Sequence, residues 1–120
     1  MVTEKKFKTV AIIGGGLIGS SLAHSIRENH LCDNLKIFDF KADVRKKLKE
    51  IFNSQEIYEN LNETVTEADL VFLCVPVGSM RDVAKRISNL LKKGCILTDT
   101  GSTKNSVIKD IKPFIKEDVW

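Results

Sequence analysis

The sequence predicts a doubly wound parallel α/β sheet, and two observations carry the prediction. Short apolar, β-branched runs alternate with segments of helical periodicity, and that alternation implies right-handed β–α–β crossovers. A glycine cluster follows the first run directly: Val10-Ala11-Ile12-Ile13-Gly14-Gly15-Gly16-Leu17-Ile18-Gly19-Ser20-Ser21-Leu22. Gly14, Gly16 and Gly19 fit G-x-G-x-x-G, the strand-to-helix turn that cradles a dinucleotide pyrophosphate in Rossmann-type sheets.

Taken in order, residues 9–13 read as a buried strand ended by glycine. Residues 17–29 read as a helix, with Ile18, Leu22 and Ile26 four apart on one face. A turn over 31–34 leads to a second strand, 35–38, with Asp39 at its carboxyl end. Asp43 is expected to cap a second helix, in which Val44, Leu48, Ile51 and Phe52 recur at helical spacing. Residues 56–59 are a weak candidate for a short third strand, and 63–68 for one helical turn.

The strongest strand is 70–75, stopped by Pro76 because proline cannot donate to the ladder. Met80, Val83, Ala84, Ile87, Leu90 and Leu91 make an amphipathic helix closed by Gly94. Residues 95–97 form another strand ending at Thr98-Asp99, then a loop over 100–103 and a helix over 104–111 stopped near Pro113. Val119-Trp120 would begin a further strand. The expected spatial order is 3-2-1-4-5, with the switch point between the first and fourth strands. The glycine turn, Asp39, Val75-Pro76-Val77 and Thr100-Gly101-Ser102 all fall at strand carboxyl ends, the edge where such sheets bind ligands.

Each of these positions has a chemical reading. Gly14 permits the tight turn, Gly16 has no side chain to block a pyrophosphate, and Gly19 lets the helix pack closely. Backbone N–H groups near Leu17 and Ile18 then face the phosphates, assisted by the helix dipole. A strand–helix turn without a ligand is the alternative. Asp39 lies 20 positions after Gly19, where a carboxylate accepts from the adenosine ribose hydroxyls. Its charge would repel a 2′-phosphate, which favours NAD over NADP, although Lys41 would soften that repulsion; a turn or cap aspartate is the alternative. Phe40 or Phe38 could line an adenine pocket, with core packing the better role for Phe38. Ser102 and Lys104 are candidates for a polar substrate, while a helix N-cap and a solvated lysine fit the same spacing. His24 and His30 lie away from the strand ends, so the 120 residues place no general base of the usual kind there.

Bulk properties agree with one ordinary globular domain. The chain is 42% apolar and 29% charged, with a net charge of +3 and no basic stripe of the nucleic-acid kind. The 3 cysteines, Cys32, Cys74 and Cys95, have no metal-ligand spacing; Cys74 and Cys95 sit in or beside apolar runs as reduced thiols, which favours the cytoplasm. No run reaches the length of a membrane span, and residues 1–8 lack the apolar core of a signal peptide.

Three stretches together resemble the prephenate/arogenate dehydrogenases of tyrosine biosynthesis. They are the glycine stretch from Val10 to Ala23, Val71-Phe72-Leu73-Cys74-Val75-Pro76-Val77, and Thr98-Asp99-Thr100-Gly101-Ser102-Thr103-Lys104. The last is the most specific. The resemblance implies an NAD-dependent oxidative decarboxylation of prephenate to 4-hydroxyphenylpyruvate. It places the adenosine half of NAD on Gly14, Gly16, Leu17, Ile18, Gly19 and Asp39, the other ribose against Val75, Pro76 and Val77, and the substrate hydroxyl near Ser102. The family's catalytic histidine, in an H-P-x-x-G motif, its substrate-binding arginine and its helical dimerisation domain follow that serine and have no counterpart in these 120 residues. The chain is therefore expected to be the nucleotide-binding part alone, truncated before its last strands and inactive by itself. An open sheet edge and weak self-association are then expected. Full-length relatives would be homodimers. A stand-alone nucleotide-sensing module and another Rossmann-type dehydrogenase, of the hydroxyacid or pyrroline-carboxylate reductase kind, are the competing readings.

Overall fold

The computed structural model describes residues 7–99, which form a parallel sheet with helices on both faces. The strands are β1 (Phe7–Ile13), β2 (Cys32–Phe38), β3 (Leu70–Leu73) and β4 (Ile96–Asp99), in the order β2-β1-β3-β4. All three pairings are parallel; Ile13 stands beside Phe38 on one side and Leu73 on the other. β1 is thus central, and the chain reverses direction of growth between β1 and β3, as the expected order requires.

β1 shows why its run is apolar without alternation. Val10 and Ile12 enter one core layer, and Ala11 and Ile13 enter the other. A strand covered on both faces cannot alternate with polar residues. The first layer is closed by α1 (Leu17–Glu28) and α2 (Ala42–Ile51) through Ala23, Ile26 and Leu48. The second is closed by α3 (Leu61–Val65) and α4 (Val77–Ile87) through Leu61, Val65, Met80, Val83 and Ile87. Full burial of each large side chain stabilises by about 1.5–3 kcal/mol, and α4 supplies three of them on one stripe: Met80, Val83 and Ile87.

Several boundaries differ from the sequence reading. The expected third strand at 56–59 contributes a single parallel bridge, Ile37 with Ile57, flanked by Tyr58 N–H donating to the Ile37 carbonyl at 2.8 Å. The capping box of Asn53 and Glu56 closes a short 3₁₀ turn, Ser54–Glu56, directly before it and leaves little length for a ladder. β2 begins at Cys32, inside the expected turn. Asp43 does not cap α2; Lys41 holds that place without a side-chain bond, and Asp43 lies in the first turn, where its charge meets the positive end of the helix. α3 starts earlier than expected because Asn60 accepts from Glu63 N–H at 3.1 Å. α4 starts at Val77 with Pro76 as its N-cap, and ends at Ile87, so Gly94 (φ 83°) belongs to the turn before β4. The expected helix at 104–111, the strand start at Val119-Trp120, Ser102 and Lys104 lie outside the described residues.

The amino ends of the strands are pinned by one carboxylate. Asp69 Oδ2 accepts from Lys8 N–H and Thr9 N–H, each at 2.9 Å, and Oδ1 meets Lys92 Nζ at 2.6 Å. Partial burial would raise its pKa, but the Lys92 bond and charge and the two amides outweigh it and hold the carboxyl below its ordinary 3.8. Lys92 is raised in turn, chiefly by its bond to Asp69. Nearby Cys95 is fully buried, and that burial pushes its thiol up to about 11.

Candidate functional site

At the opposite, carboxyl edge of the sheet the three loops after β1, β2 and β3 enclose an open cleft of about 740 Å³. Its back is the glycine turn. Gly14 sits at φ 105°, donates to the Phe38 carbonyl at 2.6 Å, and lies so close to the next strand that a Cβ would come within 2.5 Å of the Cys74 carbonyl oxygen. Such a position is closed to any other residue by both conformation and space. Gly19 is closed by space alone, since a Cβ there would run into the Gly14 carbonyl oxygen. Gly16 is different. It is the N-cap of α1, at φ −69°, and a Cβ there would meet nothing within 4 Å. Its missing side chain leaves room on the cleft side, not inside the protein.

That room adjoins unsatisfied donors. The first N–H groups of a helix have no intrahelical acceptor, and among the described residues no side chain caps α1. The amides of Leu17 and Ile18 are therefore available at the positive end of a 12-residue helix. Ser20 does not compete for them: its N–H goes to the Gly16 carbonyl and its Oγ donates to the Gly15 carbonyl, at 2.8 and 2.9 Å.

One wall of the cleft comes from β2. Asp39 is half-buried there, and its two carboxylate oxygens each accept one backbone N–H at 2.8 Å, Oδ2 from Gly15 and Oδ1 from Lys41. It thus ties the glycine turn to the end of β2 while each oxygen keeps acceptor capacity for a further donor. Phe40 and Lys41 continue this wall, and Val44 on α2 lies behind them. Arg45 Nη1 donates to the Asp39 carbonyl at 2.7 Å. Among the described residues its buried Nε meets no acceptor. The facing wall is Cys74, Val75, Pro76 and Val77, the corner from β3 into α4. Pro76 fixes that corner at φ −55°, ψ 146°.

Every predicted cofactor residue lines this one cleft: Gly14, Gly16, Leu17, Ile18 and Gly19 at the back, Asp39 on one side, and Val75, Pro76 and Val77 on the other. His24 packs against Phe52 at 4.8 Å between ring centroids, and His30 lies in the turn after α1; neither lines the cleft. The sequence reading missed Cys74 and Val44. Both stand in apolar patterns that read as core, and the usable signal was position: Cys74 ends a strand opposite the glycine turn, and Val44 is in the first turn of its helix. Phe40 rather than Phe38 is the aromatic residue of the cleft; Phe38 is buried in the core.

A parallel sheet switching direction beside a glycine turn, with free helix amides over an open cleft, defines a nucleotide-binding domain of the doubly wound α/β class. Residues 22–119 match the family described as prephenate dehydrogenase, nucleotide-binding domain, and the chain belongs to that family. It is 41% identical over 106 residues to a cyclohexadienyl dehydrogenase of Zymomonas mobilis, covering 88% of this chain and 36% of that protein. It is 34% identical over 106 residues to a prephenate dehydrogenase of Lactococcus lactis, covering 85% and 28%. The chain thus spans about a third of the length of these curated relatives. The same fold occurs in the crystal structure of prephenate dehydrogenase from Aquifex aeolicus in complex with hydroxyphenyl propionate and NAD+, with a TM-score of 0.81 at 24% identity over 93% of this chain and 40% of that one. Synechocystis arogenate dehydrogenase shows it at a TM-score of 0.78 and 24% identity, covering 88% of this chain and 37% of that one. Among the described residues, no helix is long and apolar enough to cross a membrane.

Proposed function

We propose that this chain binds NAD as the nucleotide-binding part of a cytoplasmic dehydrogenase that oxidatively decarboxylates prephenate or a related cyclohexadienyl acid. The observation that carries the reading is the open space over Gly16, bounded by the unengaged Leu17 and Ile18 amides and by the Asp39 carboxylate. An anionic diphosphate suits the amides and the helix dipole, and ribose hydroxyls suit the remaining lone pairs of Asp39. The same carboxylate disfavours a 2′-phosphate, so NAD is preferred to NADP. Val75, Pro76 and Val77 offer an apolar, fixed wall for the second ribose and the ring attached to it.

When bound, NAD supplies a hydride acceptor: prephenate loses a hydride from the ring carbon bearing its hydroxyl and releases carbon dioxide as the ring becomes aromatic. This chain's part is to hold the acceptor in one orientation at the sheet edge. Ser102 and Lys104, by the family resemblance, would face the substrate. Neither His24 nor His30 lines the cleft, so neither is assigned the proton removal from the substrate hydroxyl. Isothermal titration of the 120-residue chain with NAD and NADP tests the reading. The expected result is NAD binding and weaker NADP binding, without prephenate-dependent NADH formation. No NAD binding at millimolar concentration would overturn the reading, and a preference for NADP would overturn the role of Asp39.

A further inference from the structure

The Asp39 wall of the cleft ends in a chain of stacked groups that no contact with the glycine turn requires. The Arg45 guanidinium carbon lies 5.8 Å from the Phe38 ring centroid. Phe38 meets Phe40 edge-on, with centroids 5.0 Å apart and planes at 80°. The Arg86 guanidinium carbon, brought from the far half of α4, lies 5.4 Å from the Phe40 centroid. Phe38 is buried in the core, whereas Phe40 is 43% exposed and lines the cleft. An exposed phenylalanine at the end of a strand would normally rotate freely. Here one ring edge is set by Phe38 and the ring is covered from α4 by a cation, which leaves the remaining surface of Phe40 as a fixed aromatic plane beside Asp39.

We propose that Arg86 is a positioning residue for adenine: it holds Phe40 as the platform on which the base of the cofactor stacks, with Arg45 and Phe38 anchoring the other end. Arg86 does not line the cleft, so it acts through Phe40 and not on the cofactor. Its charge also raises the contrast between the cationic back of the ring and the polarisable base that stacks on it. Fixing the ring before binding removes the cost of ordering it during binding. The inference rests on the reading of the cleft as a dinucleotide site and extends it to the residues that set its affinity for the adenosine half.

The test is a double-mutant cycle on the 120-residue chain, reading the Kd for ADP-ribose by isothermal titration and the Tm without ligand. Arg86→Met is expected to weaken ADP-ribose by about two- to fivefold, the range of an exposed cation–π contact. Arg86→Lys is expected to recover most of that loss. Phe40→Ala is expected to weaken binding by about tenfold, in line with a lost base–aromatic stack, and Arg86→Met should then add nothing further. The Tm should stay within about 2 °C for both Arg86 variants, since an exposed side chain away from buried features changes stability little. An unchanged Kd in Arg86→Met would overturn the proposal. So would an equal loss in the Phe40→Ala background, which would mean that Arg86 acts directly on the ligand. If the unsubstituted chain binds no ADP-ribose, the dinucleotide reading itself falls, and this inference with it.

Discussion

Replacing Gly16 by alanine separates the demands of the fold from those of a ligand. The added Cβ would meet no protein atom within 4 Å, and the backbone angles, φ −69° and ψ −163°, are open to any L-residue. Two stability effects oppose each other. Alanine is a poorer N-cap than glycine by up to about 1 kcal/mol, and it lowers the entropy of the unfolded chain by about 0.4–1 kcal/mol. The net change is near zero, and the Tm should move by only a few degrees. Binding has no such offset. The new methyl group occupies the space beside the Leu17 and Ile18 amides and holds an anion away from them. Charge-assisted hydrogen bonds contribute about 1.5–3 kcal/mol each, so loss of one or both weakens NAD by about tenfold to a thousandfold or more. Thermal unfolding and isothermal titration on the same preparation measure both quantities. Binding of NAD within twofold of the unsubstituted chain would refute the assignment of the pyrophosphate to this turn; a fall in Tm of ten degrees would refute the claim that Gly16 faces open space.

Gly19→Ala should behave in the opposite way, because its Cβ runs into the Gly14 carbonyl oxygen and both partners are backbone; a loss of about 1–3 kcal/mol or more is expected, read as a lower urea midpoint before any ligand is added. Asp39→Ala removes the acceptor for the Gly15 and Lys41 amides and the charge proposed to face the ribose, so titrations should show weaker NAD binding and a higher NADP-to-NAD affinity ratio; an unchanged ratio would contradict the role of the carboxylate. Because the Asp69 pKa is lowered below 3.8 in the folded chain, its contribution to stability is complete above that value and lost as pH falls through the folded pKa; urea unfolding between pH 2 and 7 should show that acid limb shrink in Asp69→Asn. The Cys95 thiol is raised from 9.0 to about 11, so folding favours the protonated form and stability declines as pH rises from about 9 to 11; Cys95→Ala should flatten that alkaline limb.

Much of this arrangement was legible in the residues because it rests on local rules. The two-sided burial of β1 needs an unbroken apolar run, and 9–13 provides one. The stripe of Met80, Val83, Ala84 and Ile87 appears at helical spacing, although α4 begins three residues before Met80, because the sequence pattern marks only the buried positions. Asp39 was placed correctly at the end of β2. Its bond to Gly15 was not legible, because the partners lie 24 positions apart and meet only when β1 and β2 pair. The same holds for Asp69, whose bonds to Lys8 and Thr9 span about 60 positions. The weak strand at 56–59 is reduced to one parallel bridge beside β2, Ile57 with Ile37, because the capped 3₁₀ turn at Ser54–Glu56 leaves little length for a ladder. Arg86 over Phe40 joins α4 to the end of β2, and no periodicity reports such a pair.

The glycine turn has a consequence for how this domain can change over generations. Under the proposed reading its hold on an anion is built from main-chain amides, and the residues that carry them have exposed side chains: Leu17 is 86% exposed and Ile18 58%. Substitution at 17 or 18 therefore leaves the amides in place as long as the helix forms, whereas substitution at 14 or 19 meets backbone at once. Within a few consecutive positions the chain holds residues that tolerate almost nothing and residues that tolerate almost anything. The exposed leucine and isoleucine form a part of the surface that can drift in sequence, while the main-chain amides beneath them stay where they are.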